Sequence, residues 1–75
     1  MEVKIYSTPT CPYCTMAKQY FFSKGIAYES VDVSTDKAKA DEMVKLSGQM
    51  GVPVIVVDGN VITGFDQPKI DALLQ

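Results

Sequence analysis

Two cysteines separated by two residues are the side chains in this sequence best suited to carry out a reaction. Cys11 and Cys14 flank Pro12 and Tyr13, and the chain has no histidine and no further cysteine. Without an imidazole, a Cys/His dyad or a Ser/His/Asp triad is excluded. Closing so short a loop removes little entropy from the unfolded chain, so a merely stabilising disulfide is disfavoured. We therefore interpret the two cysteines as a reactive pair.

The pair lies where a β-prone stretch, residues 3–6, passes into a predicted helix. Pro12 suits the first position of that helix, and Cys14, Ala17 and Phe21 share one of its faces. Residues three apart on a helix have Cβ atoms roughly 5–6 Å apart, whereas a disulfide needs roughly 3.5–4.5 Å. A slight tightening of the first turn would close the bond, so the spacing favours a reversible redox couple.

The two sulfurs are predicted to differ in their surroundings. Cys11 lies at or next to the helix N-terminus, where the helix dipole stabilises an anion by roughly 0.3–2 kcal/mol. Cys14 lies on the face of the helix that is predicted to be buried. We therefore predict that Cys11 is the catalytic nucleophile, which attacks a target disulfide, and that Cys14 is the resolving thiol. Between them, Pro12 stiffens the active-site loop and Tyr13 covers the sulfur.

A metal site is the main alternative for a C-x-x-C pair. Structural zinc takes four Cys, His or carboxylate ligands, and this chain supplies two cysteines. We therefore expect no metal in a monomer. Dimerisation could bring four thiolates together around zinc or an iron–sulfur cluster, so a dimeric carrier remains open.

The rest of the chain alternates β-prone and helical stretches in the order β-α-β-α-β-β-α. The first helix is predicted to end at Gly25, and the second to begin at Ser34 or Thr35, with Asp36 in its first turn, and to end at Gly48. Gly64 ends the last strand, and Asp66 with Pro68 begins the last helix. A β-α-β start requires a right-handed crossover between parallel strands, and the hairpin signal at 58–60 adds antiparallel ones. We predict one α/β domain over residues 1–75, with a mixed four-stranded sheet and helices on both faces.

Apolar spacing predicts which side chains fill the core. Residues 54–57 form a continuous apolar run, which is typical of a strand buried on both faces. The helical residues predicted to be buried are Phe21, Phe22, Met43 and Leu73. The acidic residues Asp36, Asp41 and Glu42 are predicted to form a solvated face of the second helix.

Composition and charge argue against several classes of function. Of the 75 residues, 47% are hydrophobic and 21% are charged, which is ordinary for a folded domain. A net charge of −2, with seven lysines and no arginine, disfavours nucleic-acid binding. No apolar run approaches the roughly 18 residues of a membrane span, and the N-terminus lacks the order of a signal peptide. We expect a cytoplasmic monomer that binds neither nucleic acid nor membrane.

The combined motifs resemble those of glutaredoxins over essentially the whole chain. They are Cys11-Pro12-Tyr13-Cys14 at the start of a helix, Val52-Pro53 before a buried strand, and Gly64 after the hairpin. The resemblance implies a thioredoxin fold with sheet order 2-1-3-4 and a cis peptide bond before Pro53, beside the cysteines. It also implies that the Val52 backbone pairs with a bound thiol substrate as an added strand does.

Several positions depart from the usual glutaredoxin pattern. Thr8 stands where a lysine that helps to hold a glutathione carboxylate is usual, and Gly51 replaces the usual threonine before Val-Pro. Asp66 matches the acid that receives the amino group of glutathione, although a plain helix N-cap explains it equally well. Gly64-Phe65 instead resembles the glutaredoxin-like hydrogen donors of ribonucleotide reductase, which accept electrons from thioredoxin reductase.

The resemblance therefore implies a thiol–disulfide oxidoreductase that reduces protein disulfides and glutathione mixed disulfides. Glutathione would be its co-substrate, with no tightly bound cofactor, and disulfide-containing proteins would be its partners. The implied substrate contacts are Val52, Pro53, Gly64, Phe65 and Asp66. An electron donor to ribonucleotide reductase coupled to thioredoxin reductase and a dimeric iron–sulfur or zinc carrier remain the alternatives.

Overall fold

The computed structural model describes residues 2–74, which form seven elements in the predicted order. Their bounds are β1 (Val3–Ser7), α1 (Pro12–Ser23), β2 (Glu29–Asp32), α2 (Lys37–Ser47), β3 (Val54–Val57), β4 (Asn60–Thr63) and α3 (Gln67–Leu74). None of the helices formed by residues 2–74 is long and apolar enough to cross a membrane. The two cysteines thus fall at the start of α1, and residues 52–53 immediately precede β3.

The four strands form one mixed sheet in the order β2-β1-β3-β4. β1 runs parallel to β2, with Tyr6 opposite Val31, and antiparallel to β3, with Ile5 opposite Ile55. β4 returns antiparallel to β3 after a turn at residues 58–59. The predicted strand directions are therefore confirmed. Because β1 and β3 are antiparallel neighbours, the segment that follows β1 meets the segment that precedes β3 at one end of the sheet.

Helices cover both faces of the sheet, as predicted. α1 and α3 pack against one face, where the core cluster is Val3, Ile5, Ala17, Phe21, Ile55, Val57, Ile62 and Ile70. α2 packs against the other face, where the core cluster is Tyr6, Val31, Met43 and Val54. The cysteine-bearing helix therefore belongs to the face with the larger apolar cluster.

The prediction that Phe22 is a core residue is wrong. Phe22 is 80% exposed, whereas its neighbour Phe21 is fully buried. Successive residues point about 100° apart around a helix, so only one of two adjacent phenylalanines faces the sheet. The other predicted core positions hold, since Met43 is buried and Leu73 packs against the cluster of α1 and α3.

The predicted N-cap of α2 is also corrected. Asp36, rather than Ser34 or Thr35, caps the helix, and its Oδ1 accepts a hydrogen bond from the Lys39 backbone N–H at 3.2 Å. Ser34 instead donates both its hydroxyl and its backbone N–H to Asp32 Oδ1. Because that local partner occupies Ser34, the capping position moves two residues towards the C-terminus.

Glu42 does not belong to a simply solvated face. The buried hydroxyl of Tyr6 donates a hydrogen bond to Glu42 Oε1 at 2.7 Å. Burial and, second, this hydrogen bond raise the pKa of Tyr6 to about 12, and the same bond lowers the pKa of Glu42. The contact joins α2 to β1 and accounts for a charged residue against the sheet.

Candidate dithiol active site

Cys11 is held at the junction of β1 and α1. Its backbone N–H donates to the carbonyl of Thr8 at 3.3 Å, which closes the turn after β1. Cys11 has extended backbone angles (φ −94°, ψ 110°) and is the N-cap residue of α1. Pro12 follows in the first turn, where its missing N–H and fixed φ cost nothing, and Tyr13 is 62% exposed. The helix therefore begins at the residue that the sequence predicts.

The Cys11 sulfur has two polar backbone neighbours. The N–H of Cys14 donates to Cys11 Sγ at 3.2 Å, in the position that a serine or aspartate oxygen occupies at other N-caps. The thiol of Cys11 in turn donates to the carbonyl of Val52 at 3.9 Å. The sulfur thus lies at the N-terminus of α1 with one N–H donor and one carbonyl acceptor beside it. A thiolate at Cys11 therefore meets a hydrogen-bond donor that is already in place.

Cys14 differs from Cys11 in its exposure. It is 1% exposed on the buried face of α1, whereas Cys11 is half-buried, and both thiols are free. Burial and, second, the hydrogen bond with Cys11 raise the pKa of Cys14 to about 11. A backbone hydrogen bond with Thr8 and the charge of Lys18 act in the opposite direction. Cys14 is therefore predominantly a neutral thiol at pH 7.

Val52 and Pro53 bring the start of β3 beside the cysteines. The peptide bond between them is cis, as the resemblance to glutaredoxins implies. Pro53 is buried, and its carbonyl accepts a hydrogen bond from the Gly64 backbone N–H at 2.8 Å. Gly64 has a φ of +77°, which residues with a side chain rarely adopt. Cys11, Val52, Pro53 and Gly64 thus form one continuous set of contacts.

Phe65 and Asp66 connect this set of contacts to α3. Phe65 is half-buried, and its ring lies edge-on against the ring of Tyr20 in α1, with the ring centroids 5.7 Å apart. Asp66 Oδ1 accepts a hydrogen bond from the Lys69 backbone N–H at 3.3 Å. The N-cap interpretation of Asp66 is therefore confirmed, and its contact with glutathione stays a prediction.

Most of the chain matches one family profile. The profile described as Glutaredoxin matches residues 3–62, a range that includes both cysteines and the Val52-Pro53 pair. The chain belongs to the glutaredoxin family. Glutaredoxins are thiol–disulfide oxidoreductases, and a half-buried sulfur with a second thiol one turn away is the arrangement that such chemistry requires.

Two curated relatives are similar to this glutaredoxin along most of its length. An uncharacterized glutaredoxin-like 8.6 kDa protein in the rubredoxin operon of Clostridium pasteurianum is 51% identical over 73 residues, which are 97% of either chain. Glutaredoxin 3 of Escherichia coli strain K12 is 42% identical over 65 residues, which are 87% of this chain and 78% of that protein.

Solved structures agree with the thioredoxin-like fold. The thioredoxin-like protein BC3987 superposes with a TM-score of 0.89 at 30% identity, over 96% of this chain and 99% of its own. NrdH-redoxin from Escherichia coli, described as a glutaredoxin-like protein with a thioredoxin-like activity profile, gives a TM-score of 0.82 at 25% identity, over 97% and 95%. The predicted thioredoxin fold with sheet order 2-1-3-4 is confirmed.

Sequence reasoning missed a contact between two helices of this glutaredoxin. The hydroxyl of Tyr20 in α1 donates a hydrogen bond to Asp71 Oδ1 in α3, across 51 residues of sequence. The available signal was the position of Tyr20 beside the buried face of α1, which does not identify a partner. Asp71 carried no signal, because an acidic residue in a short terminal helix is ordinarily solvated.

Metal ligands are sparse in the part of the chain that the structure describes. Residues 2–74 contain no group of three or more His, Cys, Asp or Glu side chains placed to hold a metal ion. Any zinc or cluster at the dithiol would therefore need ligands from outside the chain. The dimeric carrier stays a prediction.

Proposed function

We propose that this glutaredoxin reduces protein disulfides and glutathione mixed disulfides through Cys11 and Cys14. The observation that carries the proposal is the geometry of the pair: the Cys14 N–H donates to the Cys11 sulfur at 3.2 Å, and Cys14 itself is buried. Cys11 is the sulfur that an external disulfide reaches first, so it is the nucleophile and Cys14 the resolving thiol. Glutathione is the co-substrate, and no cofactor is tightly bound.

The first step is attack on a mixed disulfide between a protein and glutathione. The Cys11 thiolate attacks the glutathione sulfur, the protein–glutathione S–S bond breaks, and the protein leaves as a thiolate that takes up a proton. Cys11 is then joined to glutathione. The helix N-terminus and the Cys14 N–H stabilise the Cys11 thiolate both before it attacks and when it later leaves.

Two routes then release the enzyme. In the monothiol route, a second glutathione thiolate attacks the bound glutathione sulfur, which gives glutathione disulfide and the Cys11 thiolate. In the dithiol route, used for protein disulfides, Cys14 attacks the Cys11 sulfur, expels the substrate thiolate and leaves a Cys11–Cys14 disulfide. Two glutathione molecules return the two electrons by becoming glutathione disulfide.

The two routes are expected to differ in their dependence on pH. Burial raises the pKa of Cys14, so only a small fraction of Cys14 is a thiolate at pH 7. As long as the pH is below the pKa, the thiolate fraction increases about tenfold for each unit by which the pH is raised. The dithiol route therefore accelerates with pH through deprotonation of Cys14, whereas the pH dependence of the monothiol route comes from deprotonation of the attacking glutathione.

Glutathione is proposed to bind between the Val52-Pro53 segment and residues 64–66. The Val52 backbone precedes β3 and offers polar groups for pairing with an extended tripeptide. The Asp66 carboxylate is the proposed partner of the glutathione amino group. The Pro53–Gly64 hydrogen bond, at 2.8 Å, joins the two segments and supports a single binding surface.

A second candidate is an electron donor to ribonucleotide reductase that is reduced by thioredoxin reductase. Three departures favour it: Thr8 and Gly51 stand where glutaredoxins usually carry other residues, and Gly64-Phe65 resembles the glutaredoxin-like hydrogen donors. The likeness to NrdH-redoxin points in the same direction. The two candidates share the dithiol and differ in the molecule that reduces it.

Parallel reductant assays separate the two candidates. The protein is supplied with a glutathionylated peptide together with glutathione and glutathione reductase, or with a protein disulfide together with thioredoxin reductase, and NADPH consumption is followed. We expect turnover in the first assay and a reduction potential of roughly −200 to −230 mV. Turnover with thioredoxin reductase alone, and a potential near roughly −270 mV, would favour the second candidate.

Two cysteine variants test the assigned roles. Cys11→Ser should abolish turnover in either assay, because the nucleophile is lost. Cys14→Ser is the matched control, which should keep deglutathionylation and lose the reduction of protein disulfides. Retained activity in Cys11→Ser would reject the assignment. A coloured dimer formed with iron and sulfide under anaerobic conditions, through both cysteines, would support the carrier instead.

A further inference from the structure

Tyr20 joins the cysteine-bearing helix to the segment that precedes α3. Its hydroxyl donates a hydrogen bond to Asp71 Oδ1 in α3, and its ring meets the Phe65 ring edge-on, at 5.7 Å between centroids and 69° between planes. Lys24 Nζ lies 5.1 Å from the centroid of the same ring. One side chain thus contacts α3 and the residue next to its N-cap.

Residues 64–66 are consequently held from two sides. On the side of β3, the Gly64 N–H is bonded to the Pro53 carbonyl, and the adjacent Val52 carbonyl accepts from the Cys11 thiol. On the side of α1, the Phe65 ring rests against Tyr20. The first contact fixes the segment next to the dithiol, and the second fixes it to the helix that carries the dithiol.

We propose that Tyr20, oriented by Asp71, is a positioning residue that orders residues 64–66 for the glutathione part of the mixed disulfide. This inference rests on the proposed function. A segment ordered before binding loses less conformational entropy when the ligand arrives, so the contact acts on affinity for the substrate. The Tyr20 hydroxyl is bonded to Asp71, and the polar neighbours of the Cys11 sulfur are the Cys14 N–H and the Val52 carbonyl.

This placement separates the effect of Tyr20 on binding from any effect on thiol chemistry. Tyr20 is half-buried and packs against the apolar cluster, and its replacement keeps the fully buried residues Cys14, Ala17 and Phe21 that hold α1 on the sheet. Phe22 supplies a matched control on the same helix: it is aromatic and 80% exposed, two residues further along. Leucine in place of either ring keeps helix propensity and removes aromatic contact.

The test compares Tyr20→Leu, Tyr20→Phe and Asp71→Asn with Phe22→Leu. The substrates are a glutathionylated peptide, followed in turnover with glutathione, and a protein disulfide, followed in a single turnover of the reduced protein without glutathione. The rate at which iodoacetamide alkylates Cys11 at pH 7 reports thiol reactivity. We expect Tyr20→Leu to raise KM for the glutathionylated peptide about tenfold while kcat changes less than about twofold. Reduction of the other disulfide and the alkylation rate stay at the wild-type values, as do all values for Phe22→Leu.

The milder variants grade the effect. Tyr20→Phe keeps the ring and loses the hydroxyl, so KM should rise about threefold, and Asp71→Asn keeps an oxygen that accepts the hydrogen bond and should stay close to wild type. Because Tyr20→Phe is a small change, it tests the inference even if Tyr20→Leu does not fold. An unchanged KM in every variant that folds, or an equal loss with both substrates, would overturn it. A wild-type protein without glutathione-linked turnover would instead reject the proposed function itself.

Discussion

The two faces of the sheet differ in what their contacts connect. On the face covered by α1 and α3, a large apolar cluster lies beneath the cysteine-bearing helix, and Tyr20 links α1 to Phe65 and Asp71. On the face covered by α2, a smaller apolar cluster is joined by the hydrogen bond from Tyr6 to Glu42. Both faces bury apolar residues; the cysteine-bearing helix lies on the first, whereas Val52, a proposed substrate contact, packs against the second.

The α2 face also contains open space. A cavity of about 330 Å³ lies between α2 and the sheet, lined by Lys4, Tyr6, Glu42, Leu46 and Val56 together with the charged and turn residues Glu2, Asp58 and Gly59. The last three lie at the end of β1 opposite to the cysteines. The comparison teaches that packing on the α2 face stabilises the fold, whereas packing on the α1 face also sets the depth of Cys14. Mutations on each face test this difference, because they should change either stability alone or both stability and the burial of Cys14.

Truncation of a large core side chain on each face should have the largest effect. Phe21→Ala should lower the free energy of unfolding by about 3–5 kcal/mol and Met43→Ala by about 2–5 kcal/mol, since each removes a buried side chain and leaves a cavity. Urea unfolding measures both losses. In a Cys11→Ser background, only Phe21→Ala should also accelerate alkylation of Cys14, because these two residues share the buried face of α1.

A milder substitution at Phe21 and one contradictory outcome complete this experiment. Phe21→Leu leaves a smaller cavity and serves where Phe21→Ala does not fold. If alkylation of Cys14 accelerates equally in the Phe21 and Met43 variants, the two faces are not separate and the comparison fails.

Two glycines give a matched pair of backbone changes with an intermediate effect. Gly64 has a φ of +77° and Gly48 a φ of +75°, and a Cβ added at either would meet no atom within 4 Å. Alanine at each position should therefore cost about the same, roughly 1–2 kcal/mol, through backbone strain alone. Gly64→Ala should also raise KM for a glutathionylated peptide, because its N–H is bonded to Pro53 beside the dithiol.

Gly48, at the C-terminus of α2, is the control for that measurement. Gly48→Ala should lower the melting temperature as much as Gly64→Ala and leave KM unchanged. A comparable rise in KM for both variants would show that lost stability, rather than the position of Gly64, changes substrate binding.

Loss of the Tyr6 hydroxyl should have the smallest effect and should depend on pH. Tyr6→Phe should lower the melting temperature by a few degrees at pH 7 and leave turnover unchanged. The folded-state pKa of Glu42 lies below its unfolded value, so its contribution to stability is present above that unfolded value and is lost as the pH falls through the folded pKa. The difference between wild type and variant should therefore shrink below about pH 4. A difference that is constant down to pH 2 would contradict this assignment.

Local signals predicted the order of the elements. Pro12 marks the start of α1 because its backbone suits only the first turn of a helix, and residues 58–60 mark a turn because their types tolerate positive φ. The sheet order and the cis bond at Pro53 came from the combined glutaredoxin motifs. These features could be predicted because each depends on residues adjacent in the chain or on a motif that can be recognised from the sequence alone.

Contacts between distant polar side chains could not be predicted. Tyr6 and Glu42 are 36 residues apart, and Tyr20 and Asp71 are 51 residues apart. Helical periodicity says which face a residue occupies, but not which residue of another element lies opposite. The predicted N-cap of α2 was wrong for a related reason. Ser34 and Asp36 can both accept the capping hydrogen bond, and only the structure shows that Ser34 is bonded to Asp32 instead.

The burial of Cys14 has a consequence for how the molecule stores electrons. Its side chain is buried on the same face of α1 as Ala17 and Phe21, while its backbone N–H already contacts the sulfur of Cys11. Gain or loss of two electrons would then change a bond at the boundary of the interior and leave the volume enclosed there almost constant. The reduced and oxidised forms of the protein therefore differ little in structure. The Cys14 sulfur contributes both to the packing of the interior and to the redox reaction.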